Sequence, residues 1–245
     1  MSSSATGATA LRVLTQLRRD PRTIALLLAV PSLLVTLLKY VFIDQPAVFD
    51  RIGGPLLGLF PFSVMFLVAS ITMLRERTTG TLERLMTLPL HKLDILAGYA
   101  LAFGLVGAMQ ATLVSALALG VLDLHVAGPT WAVVALAVAN AVLGMSLGLL
   151  LSAFARTEFQ AVQFMPAVVF PQLILCGLLA PRASMARLLE LASYGLPLTY
   201  AYDALDRIAH RGTISGAGVL DTIVVLVAIA AALPLGAATL RRRTP

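Results

Sequence analysis

Six stretches of about twenty residues, at roughly 23–43, 55–74, 93–121, 130–153, 160–179 and 217–240, consist almost wholly of Ala, Leu, Val and other apolar residues. A stretch of that length crosses a ~30 Å hydrocarbon core as a helix. Unsatisfied backbone groups are costly in lipid, so a span must be a helix or a strand of a closed barrel, and these stretches show no period-two alternation. The sequence therefore predicts an all-α integral membrane protein: six transmembrane helices in a single domain over 1–245. Composition agrees, because 59% of the residues are hydrophobic and 12% charged, and the mean hydropathy of +0.92 lies outside the range of a soluble domain.

Twelve of the 18 Lys and Arg fall on one side of this layout: the run Arg12 to Arg22, the cluster Arg75 to Arg84, Lys92, Arg156 and the Arg241–Arg243 tail. That bias places both termini in the cytoplasm. The position of the basic residues matters more here than the formal charge of +6, so no nucleic-acid partner is expected. The opening MSSSATGATALRVL lacks the pattern of a cleaved signal peptide, so the first span is expected to be retained. Over 8–19, Ala10, Leu11, Leu14 and Leu17 form one helical stripe. An interfacial helix and a basic flank that fixes orientation fit this stripe equally.

Between the fifth and sixth spans, residues 180–212 are too short in apolar residues to cross and too apolar for a free loop. Met185, Leu188, Leu189 and Ala192 share one face, Ala201, Ala204, Leu205 and Ile208 another, and Pro197 separates the two short helices. The pattern predicts a re-entrant helical hairpin entering from the outer side, or the same helices resting on the outer leaflet. Small-residue ridges at Ala100, Gly104 and Ala108, and at Gly144, Gly148 and Ser152, predict close helix packing.

Most enzyme chemistry is missing. The chain has one cysteine, Cys176, three scattered histidines, no expected metal site, and only Lys39 and Lys92 as lysines, neither in a Walker sequence. GMSLG, Gly144 to Gly148, spells G-x-S-x-G, but it sits within an apolar helix with no histidine in any span. Packing is the stronger reading, with an intramembrane serine hydrolase using Ser146 as the rival. Asp203 and Asp206 read as a solvated face paired with Arg207 rather than as a cation site. Gln110, Asn140, Gln163 and Gln172 are candidate linings of a translocation pathway, or glue between helices. Uncharged amides are poor proton relays, which counts against the further rival of an ion-coupled secondary transporter.

One charged segment remains, RERTTGTLERLMTLPL, between the second and third spans. Gly80 can cap a short helix over 80–88, Glu83 can reach back to the Gly80 amide, and Pro89 limits the helix to about two turns. Leu82, Leu85 and Met86 share one side and are expected to form an apolar knob at the cytoplasmic surface.

This segment, with Glu76, Gly80, Thr81, Leu82, Glu83 and Pro89, resembles the signature after the second span of type-2 ATP-binding-cassette (ABC) permeases. LCGLLAP and LPLTYAYDALDRI, with Gly177, Pro181, Pro197, Leu198 and Tyr200, resemble that family's second conserved region. The short form, without a large outer domain and poor in aromatic residues, is most similar to bacterial daunorubicin-resistance exporters. The resemblance implies a non-catalytic permease subunit of the bacterial inner membrane that pairs with an identical or homologous permease and is driven by a separate ABC ATPase binding ATP and Mg. It implies that 80–88 is the coupling helix, with Glu76, Gly80, Thr81, Leu82, Glu83, Leu85, Met86 and Pro89 serving the ATPase contact. It further implies an outer gate at Gly177, Pro181, Pro197, Leu198, Tyr200 and Tyr202, and efflux of a drug, antibiotic or lipid.

Overall fold

The computed structural model of the chain describes residues 3–87, 91–212 and 215–239. Pro89, Leu88, the Met86 side chain and the Arg241–Arg243 tail lie outside the described residues. The described residues are helical without strands, and five helices are long and apolar enough to cross a membrane. These are α2 (Pro21–Val41), α3 (Pro46–Thr78), α5 (Lys92–Gly120), α6 (Thr130–Leu151) and α11 (Gly216–Ala238), while α1 (Ser3–Arg18) precedes them and α4 (Thr81–Thr87) follows α3.

Local chemistry sets the boundaries. Asp20 caps α2, accepting from the Thr23 amide at 3.2 Å and hydroxyl at 2.6 Å, and Pro21 supplies a first residue that needs no donor. These bonds hold the Asp20 carboxyl below the usual carboxylate range. Ser215 caps α11 by accepting from the Gly218 amide at 3.2 Å. The second span begins well before its apolar stretch, at Pro46, and α3 spans 33 residues, about 50 Å at helical rise, so both of its ends outrun a hydrocarbon core.

The stretch expected as a fifth continuous span is instead built in pieces: α7 (Glu158–Phe164), a π-helical turn (Met165–Val169) and α8 (Phe170–Leu175). The cause lies in Pro166 and Pro171. Each removes a backbone donor and crowds the turn before it, and a widened π turn absorbs both. The 18 residues still reach about 27 Å. Their start is tied to the end of α3, where Arg75 Nε and Nη2 donate to Glu158 at 2.7 and 3.0 Å, and Gly177 beyond their end lies beside Tyr202.

α3 and α6 form the centre, with α5 packed on both. An added Cβ on Gly144 or Gly148 would overlap the carbonyl oxygens of Phe62 and Phe66, so the α3 backbone lies directly on the α6 glycines. That close seam is the expected ridge of α6. The ridge expected on α5 is displaced: Gly104 faces only the Met145 methyl, whereas Gly107 meets Ala141 and Met65. α9 (Arg187–Ser193) and α10 (Pro197–Arg211) sit at the end of the bundle away from α4, after a 3-10 turn at Arg182–Ser184. α10 buries Leu198, Ala201, Ala204, Leu205 and Ile208, while α9 leaves Leu188, Leu189 and Leu191 exposed.

Candidate functional site

At one end of the bundle α3 stops because Gly80 adopts φ +74, in the left-handed region. The Thr79 amide and hydroxyl both donate to the Arg75 carbonyl, at 2.9 and 2.8 Å, and the Arg84 amide bonds the Gly80 carbonyl at 3.1 Å to start α4. Among the described residues no bond joins Glu83 to the Gly80 amide. A Cβ on Gly80 meets nothing within 4 Å, so the cost of Gly80→Ala is conformational. It should be about 1 kcal/mol. A fall of roughly 2–4 °C in the unfolding midpoint of the purified protein checks this.

The expected outward apolar knob is corrected for Leu82, which is only 3% exposed and belongs to the main core; Leu85 packs partly buried against the same core. After the turn at Thr79–Gly80 α4 stays in contact with α3, and an apolar side chain there escapes water by facing inward. Among the described side chains of α4 the exposed ones are Glu83, Arg84 and Thr87, with Thr81 half-buried at their margin.

Beside this turn Glu76 is 4% exposed. Its Oε1 lies 3.5 Å from Arg12 Nη2 of α1, and the same Arg12 nitrogen donates to the Tyr99 hydroxyl of α5. The guanidinium carbon sits 5.6 Å from the Tyr99 ring centroid. Three helices thus meet through one arginine. A buried ion pair holds relative geometry more than it stabilises, because desolvation offsets its Coulomb gain. The family resemblance singles out Glu76 only as an ATPase contact, and Tyr99, whose place in an apolar helix gives no local signal, is absent from it.

At the opposite end Gly177 adopts φ +109, and a Cβ there would lie 3.2 Å from the Tyr202 ring. The chain turns through Pro181 to Arg182, which donates to Asp203 and stacks 5.5 Å from the Tyr194 ring centroid. Pro197 opens α10 and Leu198 is buried; the Tyr200 hydroxyl donates to the Tyr194 carbonyl at 2.8 Å, so α9 and α10 are stitched together. Burial pushes the Asp203 carboxyl up and Arg182 opposes it. Arg207 bonds Asp221 of α11 at 3.1 Å, so it does not pair with Asp203 or Asp206 as expected. Asp206 is taken by His210, at 3.0 Å. Among the described residues no three His, Cys, Asp or Glu gather as a metal site. A cleft of about 500 Å³ opens between α3 and this hairpin, lined by Arg51, Gly177, Arg182, Tyr202 and Arg211.

The four amides are not brought together. Gln110 Nε2 donates to the Leu27 carbonyl of α2 at 2.5 Å, Asn140 packs on Gly58 of α3, Gln172 Nε2 bonds the Val168 carbonyl at 3.2 Å, and Gln163 is exposed. Gln110 Oε1, Asn140 Nδ2 and Gln172 Oε1 are buried without a partner among the described residues. Ser146 is fully buried and its hydroxyl donates to the Val142 carbonyl at 2.8 Å; among the described residues no histidine bonds it.

The chain is 29% identical over 163 residues to ABC transporter G family member 20 of Dictyostelium discoideum, a match covering 66% of this chain and 22% of that protein. It is 28% identical over 147 residues to the Probable multidrug ABC transporter permease YbhR of Escherichia coli (strain K12), covering 59% of this chain and 39% of that one. The chain therefore matches less than half the length of these curated relatives. The family model described as ABC-2 type transporter matches residues 5–208, most of the chain from α1 into α10, and the chain belongs to that family.

Proposed function

We propose that the chain is the permease subunit of an ATP-driven exporter, moving a hydrophobic or amphipathic drug, antibiotic or lipid out of the cytoplasm or inner leaflet. A separate ABC ATPase supplies hydrolysis, with ATP and Mg bound there, and a second permease, identical or homologous, completes the pathway. The observation that carries this reading is the α3–α4 corner: a short helix whose apolar side grips the bundle through Leu82 and whose exposed side offers Glu83, Arg84 and Thr87. A helix so built passes a push on its polar face directly to α3, and through Arg12 to α1 and α5. α4 is then the coupling helix, with Gly80 and Thr81 shaping its turn, Glu76 holding it against α1, and Leu85, Met86 and Pro89 completing it.

In the same reading residues 158–175 make a sixth crossing, the basic α4 end faces the cytoplasm of a bacterial inner membrane, and α1 lies in its interface. The Gly177 to Tyr202 hairpin is the outer gate, and Gln110, Asn140, Gln163 and Gln172 contribute polar points along the spans. The separate placement of these amides favours single contacts over one polar channel. The test is co-expression with the companion ATPase and reconstitution in vesicles. A stable complex whose ATP hydrolysis is stimulated by transported compounds is expected; transport driven by an ion gradient alone, without ATPase, overturns the reading.

A further inference from the structure

The cleft opposite α4 contains more positive charge than its neighbours neutralise. Asp203 is committed to Arg182, and Asp206 hydrogen-bonds His210, so two carboxylates face the three guanidiniums of Arg51, Arg182 and Arg211. Arg51 of α3 and Arg211 at the end of α10 line the same cleft, are exposed, and form no hydrogen bond or ion pair among the described residues. Two unpaired guanidiniums facing one cavity repel each other, and an anion held between them removes that repulsion. Guanidinium is the side chain suited to this task, because its planar fork meets two oxygens of a phosphate or carboxylate at once. Tyr202 and His210 add polar edges to the lining.

Part of the lining is apolar. Ile52, Leu178 and Leu179 also line the cleft, and Leu179 is 72% exposed. A cavity lined by both exposed guanidiniums and exposed apolar side chains fits a molecule with an anionic head and a greasy tail. Its volume of about 500 Å³ lies in the range of small-molecule sites.

We propose that this cleft, gripped by Arg51 and Arg211, is a binding site for a phosphate-type anionic head group, with the attached apolar chain leaving over Leu178 and Leu179. The site follows from the charge layout and holds whichever way cargo moves. Its test uses the full chain in neutral detergent at fixed ionic strength, reading the unfolding midpoint against added dioctanoyl phosphatidylglycerol, dioctanoyl phosphatidylcholine or inorganic phosphate. The phosphatidylglycerol should raise the midpoint in a saturable way and the zwitterionic lipid should not. In the variant Arg51→Gln/Arg211→Gln the apparent affinity should fall roughly tenfold or more, the scale of a hydrogen bond between charged groups. Arg156→Gln, exposed at the far end, should leave it unchanged. Stabilisation by inorganic phosphate matching that by the lipid assigns the site to a soluble anion of the same chemistry; stabilisation by the lipid alone assigns it to a head group. Equal response to the two lipids, or undiminished affinity in the double variant, overturns the proposal.

Discussion

Gly144→Ala should destabilise the protein by about 2–3 kcal/mol, and Gly104→Ala, the same change one helix away, should stabilise it by about 0.5–1 kcal/mol. The sign difference comes from what each new methyl meets. On Gly144 it would overlap the Phe62 carbonyl oxygen, and a helix backbone cannot step aside as a flexible side chain can; on Gly104 it would find only the Met145 methyl, at 3.9 Å. Gly148→Ala should behave like Gly144→Ala, since it meets the Phe66 carbonyl one turn along the same seam. With total stabilities of about 5–15 kcal/mol, losing both contacts should remove a large share of the folding free energy. Thermal unfolding and the monodisperse yield in detergent measure all three. A neutral Gly144→Ala would mean that α3 and α6 do not touch along this line.

The contrast between these glycines also marks what a sequence can reveal. Periodicity identifies which residues share a helix face, and so the α6 ridge at Gly144, Gly148 and Ser152 and the α10 face at Ala201, Ala204, Leu205 and Ile208 could be read directly. In a helix that is apolar all round, such as α5, several faces carry small residues, and only the neighbours decide that Gly107 rather than Gly104 is the contact. Length and hydropathy identify stretches able to cross, but they are blind to two prolines spaced so that a π turn can accommodate both. Long-range pairs were hidden altogether. Arg12, Glu76 and Tyr99 lie on three helices, and Arg207 finds Asp221 on α11 rather than a carboxylate on its own helix. Local spacing favours the near partner; packing selects the one that burial brings alongside.

The same limit applies to α4, where Leu82, Leu85 and Met86 share a side but sequence does not say which way that side turns. Because Leu82 faces inward, two kinds of variant should separate cleanly. Leu82→Asp places a carboxylate in the apolar core, at a cost of several kcal/mol. Global unfolding is not required to escape it, since detaching α4 forfeits only the ~2–3 kcal/mol of one buried leucine. Amide exchange over 81–87 should therefore rise sharply in this variant while the rest of the bundle keeps its protection, and ATP hydrolysis should lose its link to transport. Glu83→Lys/Arg84→Glu changes only exposed side chains, so exchange and unfolding midpoint should stay as they were while co-purification of the ATPase falls. Unchanged protection of α4 in Leu82→Asp would place that leucine outside the bundle, and full ATPase capture by the charge-swapped variant would move the docking surface away from this helix.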